Sequence, residues 1–437
     1  MDRELYFRLL EWKGSDGRKP LVLNGARQVG KTWLLNEFGR REYNKVVSFS
    51  LDRNMEARRI FQEKGLVKDM LRKLSALAMT DITPTDTLVI IDEIQDCPAA
   101  LECLKYFSED APDIHIAVAG SLIGIALHEN VSFPVGKVDI MRLYPLSYME
   151  FVRALGHEKM ANALQEGDWG LVDTLAETYI DLLRQYYYVG GMPAVVMAYI
   201  NQKGLQEVRA EQHKILQAYE QDFSKHAPKE EVPRLRMVWG SIPAQLAKDN
   251  KKFIYGVMKK GARAASFELA IQWLVDAGLV YRVDKVNAVK MPAKFYEDFG
   301  AFKLFVLDIG LMGAMVDAPA SAVMLGNNIF SEYKGAFTEL YVCTQLQNSE
   351  VPAYYHSVEG SRIEIDFVVQ MGTAVYPIEV KAEENLQSKS LKTFVGNHPE
   401  LKGIRLSMRP YIDQGWMENI PLYAFREVFK KRMEEQA

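Results

Sequence analysis

The sequence predicts an α/β protein, and three observations carry the prediction. Apolar runs alternate with amphipathic helical stretches from Lys45 to Ser121, the rhythm of a parallel sheet covered on both faces. The octapeptide Gly25-Ala26-Arg27-Gln28-Val29-Gly30-Lys31-Thr32 lies between an apolar strand and a helix and fits G-x-x-x-x-G-K-[ST], the pattern of a phosphate-binding loop. Leu88-Val89-Ile90-Ile91-Asp92-Glu93 is a further apolar strand, and it ends in two acids.

Taken in order, Leu21-Val22-Leu23 reads as the buried strand before the loop, and the helix after it offers its positive end to phosphate. Strands follow at 46–49, 88–91, 114–118 and 138–143, with Pro145 marking the end of the last. Residues 1–158 therefore read as a P-loop NTPase parallel sheet. The next stretch is helical to about residue 200, and Gly190-Gly191-Met192-Pro193 reads as a helix stop and restart; residues 159–204 have the size of a helical lid. Residues 205–320 carry helical patterns at 211–223, 232–247 and 266–277 and short strands at 279–283 and 303–307. Helices followed by a small hairpin suggest a winged helix-turn-helix domain. Residues 327–437 open with an amphipathic helix at 333–347 and continue with strands near 354, 363–370 and 374–381, a mixed α/β domain.

At 437 residues the chain exceeds what one core can bury, so two to four domains are expected. A hydrophobic content of 48% with 25% charged residues is that of an ordinary globular protein. A net charge of −4 excludes a global basic field, so a nucleic-acid contact would rest on local patches. Met1-Asp2-Arg3-Glu4 starts polar and no apolar run approaches bilayer length; the expected address is the cytoplasm, with no membrane partner. Cys97, Cys103 and Cys343 show no metal-knuckle spacing and read as reduced, buried thiols.

The loop and the acidic strand define a chemistry. The residues from Gly25 to Thr32 would wrap a nucleotide's phosphates with backbone N–H groups, Lys31 would reach the β- and γ-phosphates, and Thr32 would hold magnesium. Asp92, 61 positions beyond Lys31, is placed to organise the same metal, and Glu93 to polarise the attacking water. The expected cofactors are ATP and Mg2+. Ser121, after the next strand, is a candidate sensor of the γ-phosphate; a serine capping the following helix reads equally well. Arg142 and Arg263 are candidates for an arginine donated to a neighbouring subunit's nucleotide, which would require an oligomer.

These motifs together resemble a family. Leu23 to Thr32, Ile91-Asp92-Glu93-Ile94-Gln95, Phe133-Pro134-Val135-Gly136-Lys137, Tyr144-Pro145-Leu146-Ser147 and Gly190-Gly191-Met192-Pro193 resemble those of a widespread prokaryotic family of AAA-type ATPases with a C-terminal domain of unknown function. The resemblance covers nearly the whole chain. It implies ATP hydrolysis and a winged-helix segment, matched by Lys251-Lys252-Phe253, Gly261-Ala262-Arg263-Ala264 and Lys303 to Leu311. Met192 and Lys137 depart from the family's habit of a bulkier aromatic and an arginine; neither touches the nucleotide motifs.

The last segment resembles the PD-(D/E)XK restriction-endonuclease-like fold. Asp366 lies in the strand 363–369, Glu379-Val380-Lys381 ends the next strand 13 residues on, and Glu339 lies on the preceding helix. The resemblance implies a second magnesium site at Asp366 and Glu379, with Glu339 helping and Lys381 positioning water. The helix 266–277 offers only Glu268, Gln272 and Asp276 as long polar groups, which argues against sequence-specific DNA reading. Lys251, Lys252, Lys259, Lys260, Arg263, Lys285, Lys290 and Lys294 would have to hold a DNA backbone. Two readings follow. In one, ATP hydrolysis drives domain movement on DNA through the nuclease-like domain; in the other, the chain is an ATP-dependent switch or remodeller of a protein partner, with an inactive nuclease-like docking domain.

Overall fold

The computed structural model describes residues 1–121, 123–126, 133–248, 251–324, 331–358, 360, 363–382 and 388–436. The expected start of the last segment, residue 327, lies outside the described residues. The chain divides into two compact units: residues 1–144 with 276–278, and residues 145–275 with 279–437.

The first unit is a five-stranded, wholly parallel sheet. After helix α1 (Leu5–Gly14), the elements are β1 (Leu21–Asn24), α2 (Lys31–Glu42), β2 (Lys45–Ser50), α3 (Met55–Gln62), α4 (Val67–Ala78), β3 (Thr87–Asp92), α5 (Pro98–Asp110), β4 (His115–Ala119), the short α6 (Ile123–Ala126) and β5 (Asp139–Arg142). The strand order is β2-β3-β4-β1-β5. Both faces are covered, as side-chain alternation requires. Val89 and Ile91 join Phe61, Leu74 and Leu104 of α3, α4 and α5 in one core, while Leu88 points the other way, against Gly39 of α2. The phosphate loop and the acids of β3 therefore both fall at the carboxyl edge of the sheet, where such folds bind ligands.

The second unit opens with helices α7 (Tyr148–Ala154), α8 (Glu158–Glu166), α9 (Trp169–Thr174), α10 (Ala176–Val189), α11 (Pro193–Ile200), α12 (Leu205–His226), α13 (Val232–Leu246) and α14 (Glu268–Asp276). Two sequence motifs find their reason here. Ser147 and Glu150 form a reciprocal capping box that starts α7. The break at Gly190-Gly191 is held by Asp308, whose Oδ2 accepts from the Gly191 N–H at 2.6 Å while its Oδ1 accepts from the Leu311 N–H. Gly190 has φ +76°, and a Cβ there would lie 2.3 Å from Asp308 Oδ1, so only glycine fits. Burial pushes the Asp308 carboxyl up to about 6, against three backbone N–H groups that lower it.

The strands β6 (Val280–Val286) and β7 (Glu297–Val306) form the expected hairpin, followed by α15 (Ile309–Met315), α16 (Ala320–Met324), α17 (Ser331–Asn348), β8 (Ala353–Ser357), β9 (Glu364–Met371), β10 (Ala374–Val380), α18 (Lys389–Asn397), β11 (Gly403–Ser407), β12 (Ile412–Asp413), β13 (Met417–Pro421) and α19 (Phe425–Gln436). The hairpin does not stand apart. It joins the later strands in one eight-stranded mixed sheet, β12-β13-β11-β10-β9-β8-β6-β7, with β6 parallel to β8 at Lys285 and Tyr355. The segments read from sequence as 205–320 and 327–437 thus share a sheet. Cys97, Cys103 and Cys343 are buried free thiols. Among the described residues no helix is long and apolar enough to cross a membrane.

Candidate functional site

The phosphate loop takes a backbone that its sequence requires. Gly25 has φ +148°, and a Cβ there would sit 2.2 Å from the Leu143 carbonyl oxygen; Gln28 and Gly30 also lie at positive φ, 68° and 97°. Gly30 precedes α2 with no side chain capping the helix, so the first N–H groups of α2 are left for an anion. Lys31 is 8% exposed, and its Nζ donates to the carbonyls of Gly25 and Ala26 at 2.8 Å each. Burial lowers this ammonium to about 8, although Glu93 and Asp92 oppose the shift. A buried cation hydrogen-bonded, among the described residues, to neutral carbonyls alone, beside open helix N–H groups, fits a polyphosphate.

Thr32 and Asp92 come together as the metal chemistry needs. Thr32 Oγ1 donates to Asp92 Oδ2 at 2.7 Å, a pair of oxygens that would serve Mg2+ with the nucleotide's own phosphates. Asp92 Oδ1 accepts from the Glu93 N–H at 3.0 Å. Glu93 sits at φ 51°, ψ 48°, a costly left-handed turn for a glutamate, and its carboxylate accepts from Gln95 Nε2 at 2.5 Å. Ser121 is buried close to the end of β4. Arg142 is aligned with Asn24 beside the loop of its own chain and lies 5.5 Å from the Tyr144 ring. Arg263 is exposed in the second unit. Arg3, which nothing in the sequence singled out, is buried and donates to the carbonyls of Val29 and Tyr144 at 2.9 and 2.6 Å, bracing the loop from behind.

In the second unit the four residues of the expected magnesium site have different surroundings. Glu339 of α17 is buried and ion-paired to Lys251, and its other oxygen faces Lys303 at 3.7 Å. Lys303 of β7 is fully buried and pairs with Glu364 at 2.7 Å. Burial disfavours the Lys303 charge, but Glu339, Glu364 and Asp366 outweigh it and hold the ammonium above the ordinary lysine range. Asp366 Oδ2 accepts from the Val380 N–H at 2.8 Å; burial, then Glu339, push its carboxyl up to about 7. Glu379 is buried and paired with Lys381 at 2.9 Å. Among the described residues no group of three or more His, Cys, Asp or Glu side chains is gathered as for a metal ion.

Residues 17–152 match the family model of an AAA domain. They form an ATPase domain similar to that family's. Its P-loop, parallel sheet and acidic β3 are the parts of an ATP hydrolase expected from the sequence, and ATP is its nucleotide. Beyond the ATPase domain, residues 180–322 match a domain of unknown function, DUF8612, and residues 334–425 match another, DUF4143. No curated protein matches the chain. Among solved structures, the chain is similar to a Walker-type ATPase of Pyrococcus abyssi (14% identity, TM-score 0.45, covering 72% of this chain and 95% of that one). It is also similar to ORC1 of Aeropyrum pernix in complex with DNA (15%, 0.26, 73% and 92%) and to AMPPCP-bound DnaA of Aquifex aeolicus (14%, 0.29, 63% and 88%).

Proposed function

We propose that the chain is a magnesium-dependent ATPase working as a switch on a protein partner, with a nuclease-like C-terminal segment that docks and does not cut. In the ATPase domain Lys31 and the N–H groups of α2 bind and orient the phosphates, Thr32 and Asp92 hold the metal, and Glu93 takes a proton from the attacking water. Magnesium, when bound, supplies charge neutralisation at the β- and γ-phosphates.

The nuclease-like reading of the C-terminal segment is supported by its order of elements, α17-β8-β9-β10-α18-β11, with Asp366 and Glu379 on paired neighbouring strands. The observation that supports a segment without cutting activity is the pair of lysines. Both oxygens of Glu339 already face ammonium groups, Lys251 and Lys303, and Lys303 has no exposure at all. A magnesium ion at Asp366 would have to enter beside resident cations, which the low dielectric of a buried site makes unfavourable. A protein partner is supported by α14, the helix read from the sequence over 266–277. It exposes Glu268 and Leu269, the latter 70% exposed, and contains no lysine or arginine, unlike a helix that lies against phosphates.

The test is plasmid nicking with magnesium or manganese, together with ATP turnover measured with and without single- and double-stranded DNA. The expected result is no nicking by wild type or Asp366→Ala, and a turnover, abolished in Glu93→Gln, that DNA leaves unchanged. Nicking lost in Asp366→Ala, or turnover raised several-fold by DNA, would overturn the reading.

A further inference from the structure

Glu93 does not hold its own position. Its backbone is turned into the left-handed region, and among the described residues its carboxylate meets one side-chain donor, Gln95 Nε2, at 2.5 Å. A carboxylate only accepts, so the NH2 of the Gln95 amide must face it and the amide oxygen must face away. Among the described residues that oxygen is buried and has no hydrogen-bond partner. It lies over the turn that leaves β4: a Cβ added to Gly120 would sit 2.5 Å from Gln95 Oε1. Gly120 directly precedes Ser121, and β4 lies between β3 and β1, so one planar amide spans the gap between the acidic end of β3 and the turn that carries Ser121. Leaving a buried oxygen unsatisfied is costly. Such a cost is characteristic of a functional site.

We propose that Gln95 is the positioning residue of the hydrolysis step. Its N–H group fixes the Glu93 carboxylate in one orientation, and its amide ties that orientation to the turn at Gly120-Ser121. A nucleotide whose γ-phosphate shifts this turn would shift the base with it. In the step itself the water oxygen bonds to the γ-phosphorus, the bond to the bridging oxygen of ADP breaks, and the water proton passes to Glu93; Gln95 acts only through Glu93. The inference rests on the assignment of Glu93 as the base.

The test uses the full chain with Mg-ATP and three variants, each first shown to bind a fluorescent ATP analogue as wild type does. Glu93→Gln must abolish turnover; if it does not, the assignment of Glu93 fails, whatever Gln95 does. With Glu93 established, Gln95→Ala is expected to lower kcat about 10- to 100-fold, the scale of a misplaced catalytic group, with KM for ATP within about twofold. Gln95→Glu sets a second carboxylate against the first and is expected to lower kcat at least as far, again with KM within about twofold. A kcat within twofold of wild type in either Gln95 variant, or a loss carried by KM, would overturn the proposal.

Discussion

Replacing Lys303 by methionine tests the reading of the second unit at its most exposed assumption, that the acid pocket is closed by its own cations. At an effective dielectric near 20, unit charges at the 2.7 Å and 3.7 Å separations from Glu364 and Glu339 attract by about 6 and about 4 kcal/mol. Taking the ammonium out of water offsets several kcal/mol of that. Methionine fills a similar volume but leaves Glu364 without this cation and Glu339 with Lys251 alone, and removing one member of a buried pair costs about 3–5 kcal/mol. At about 2.1 cal/mol/K per residue, the unfolding entropy of the second unit's roughly 290 residues converts this into a fall in Tm of about 5–8 °C. The assay is thermal unfolding of Lys303→Met, Glu364→Gln and the double variant, without nucleotide. The double variant should recover more than about 1.5 kcal/mol of the loss, the coupling of a true pair. A fall under 2 °C, or additive single losses, would refute the argument and reopen the pocket to a metal.

Gly25→Ala should abolish binding of a fluorescent ATP analogue and destabilise the chain by about 3 kcal/mol, since the added Cβ would meet the Leu143 carbonyl at 2.2 Å; retained binding would show that the loop relaxes. Asp308 titrates near 6 in the folded chain because of its burial, above the unfolded value near 3.9. Its proton therefore contributes stability below the unfolded value that is lost as pH rises through about 6. Wild type should gain about 1.5 kcal/mol over Asp308→Asn between pH 7.5 and pH 5 in urea unfolding, and a flat difference would refute the shift.

The ATPase domain was legible because a parallel sheet buries both faces of its strands. Leu88 to Ile91 and Ile116 to Ala119 are then continuous apolar text, and the loop glycines mark the turn between strand and helix. The far end of the second sheet was not legible, for the opposite reason. In β13 Glu418 and Asn419 are buried, and each is satisfied from elsewhere: Arg432 grips Glu418 with two bonds of 2.6 and 2.7 Å, and Asn419 accepts from Arg405 and donates to the carbonyls of Arg409 and Pro410. A strand of such residues reads as a loop. Lys303 was hidden in the same way. Between Phe302 and Leu304 it reads as the wet side of an edge strand, and its partners, 36 and 61 positions later, are not recoverable from spacing.

These buried pairs decide which parts can move when ATP is hydrolysed. The reading from sequence has hydrolysis move the helical and winged segments relative to the ATPase core. Inside the second unit, however, Asp308 holds the break after α10, Tyr186 and Tyr187 of α10 pack on Tyr341 of α17, β6 pairs with β8, and Lys251 and Lys303 are ion-paired to acids of α17 and β9. A hinge at any of these places would uncover a buried charge or break a buried contact at a cost of several kcal/mol. The chain passes between the two units at only three points, 144–145, 275–276 and 278–279, and Gly278 at φ +72° supplies backbone freedom at one of them. Hinges are a few loop or element-terminal residues that absorb the φ/ψ change. ATP binding should therefore change amide hydrogen exchange at 144–146 and 275–279 while protection across β6, β8 and β9 stays constant. A nucleotide-dependent loss of protection in β8 would instead place the hinge inside the shared sheet, and the lysine-closed pocket would then open during turnover.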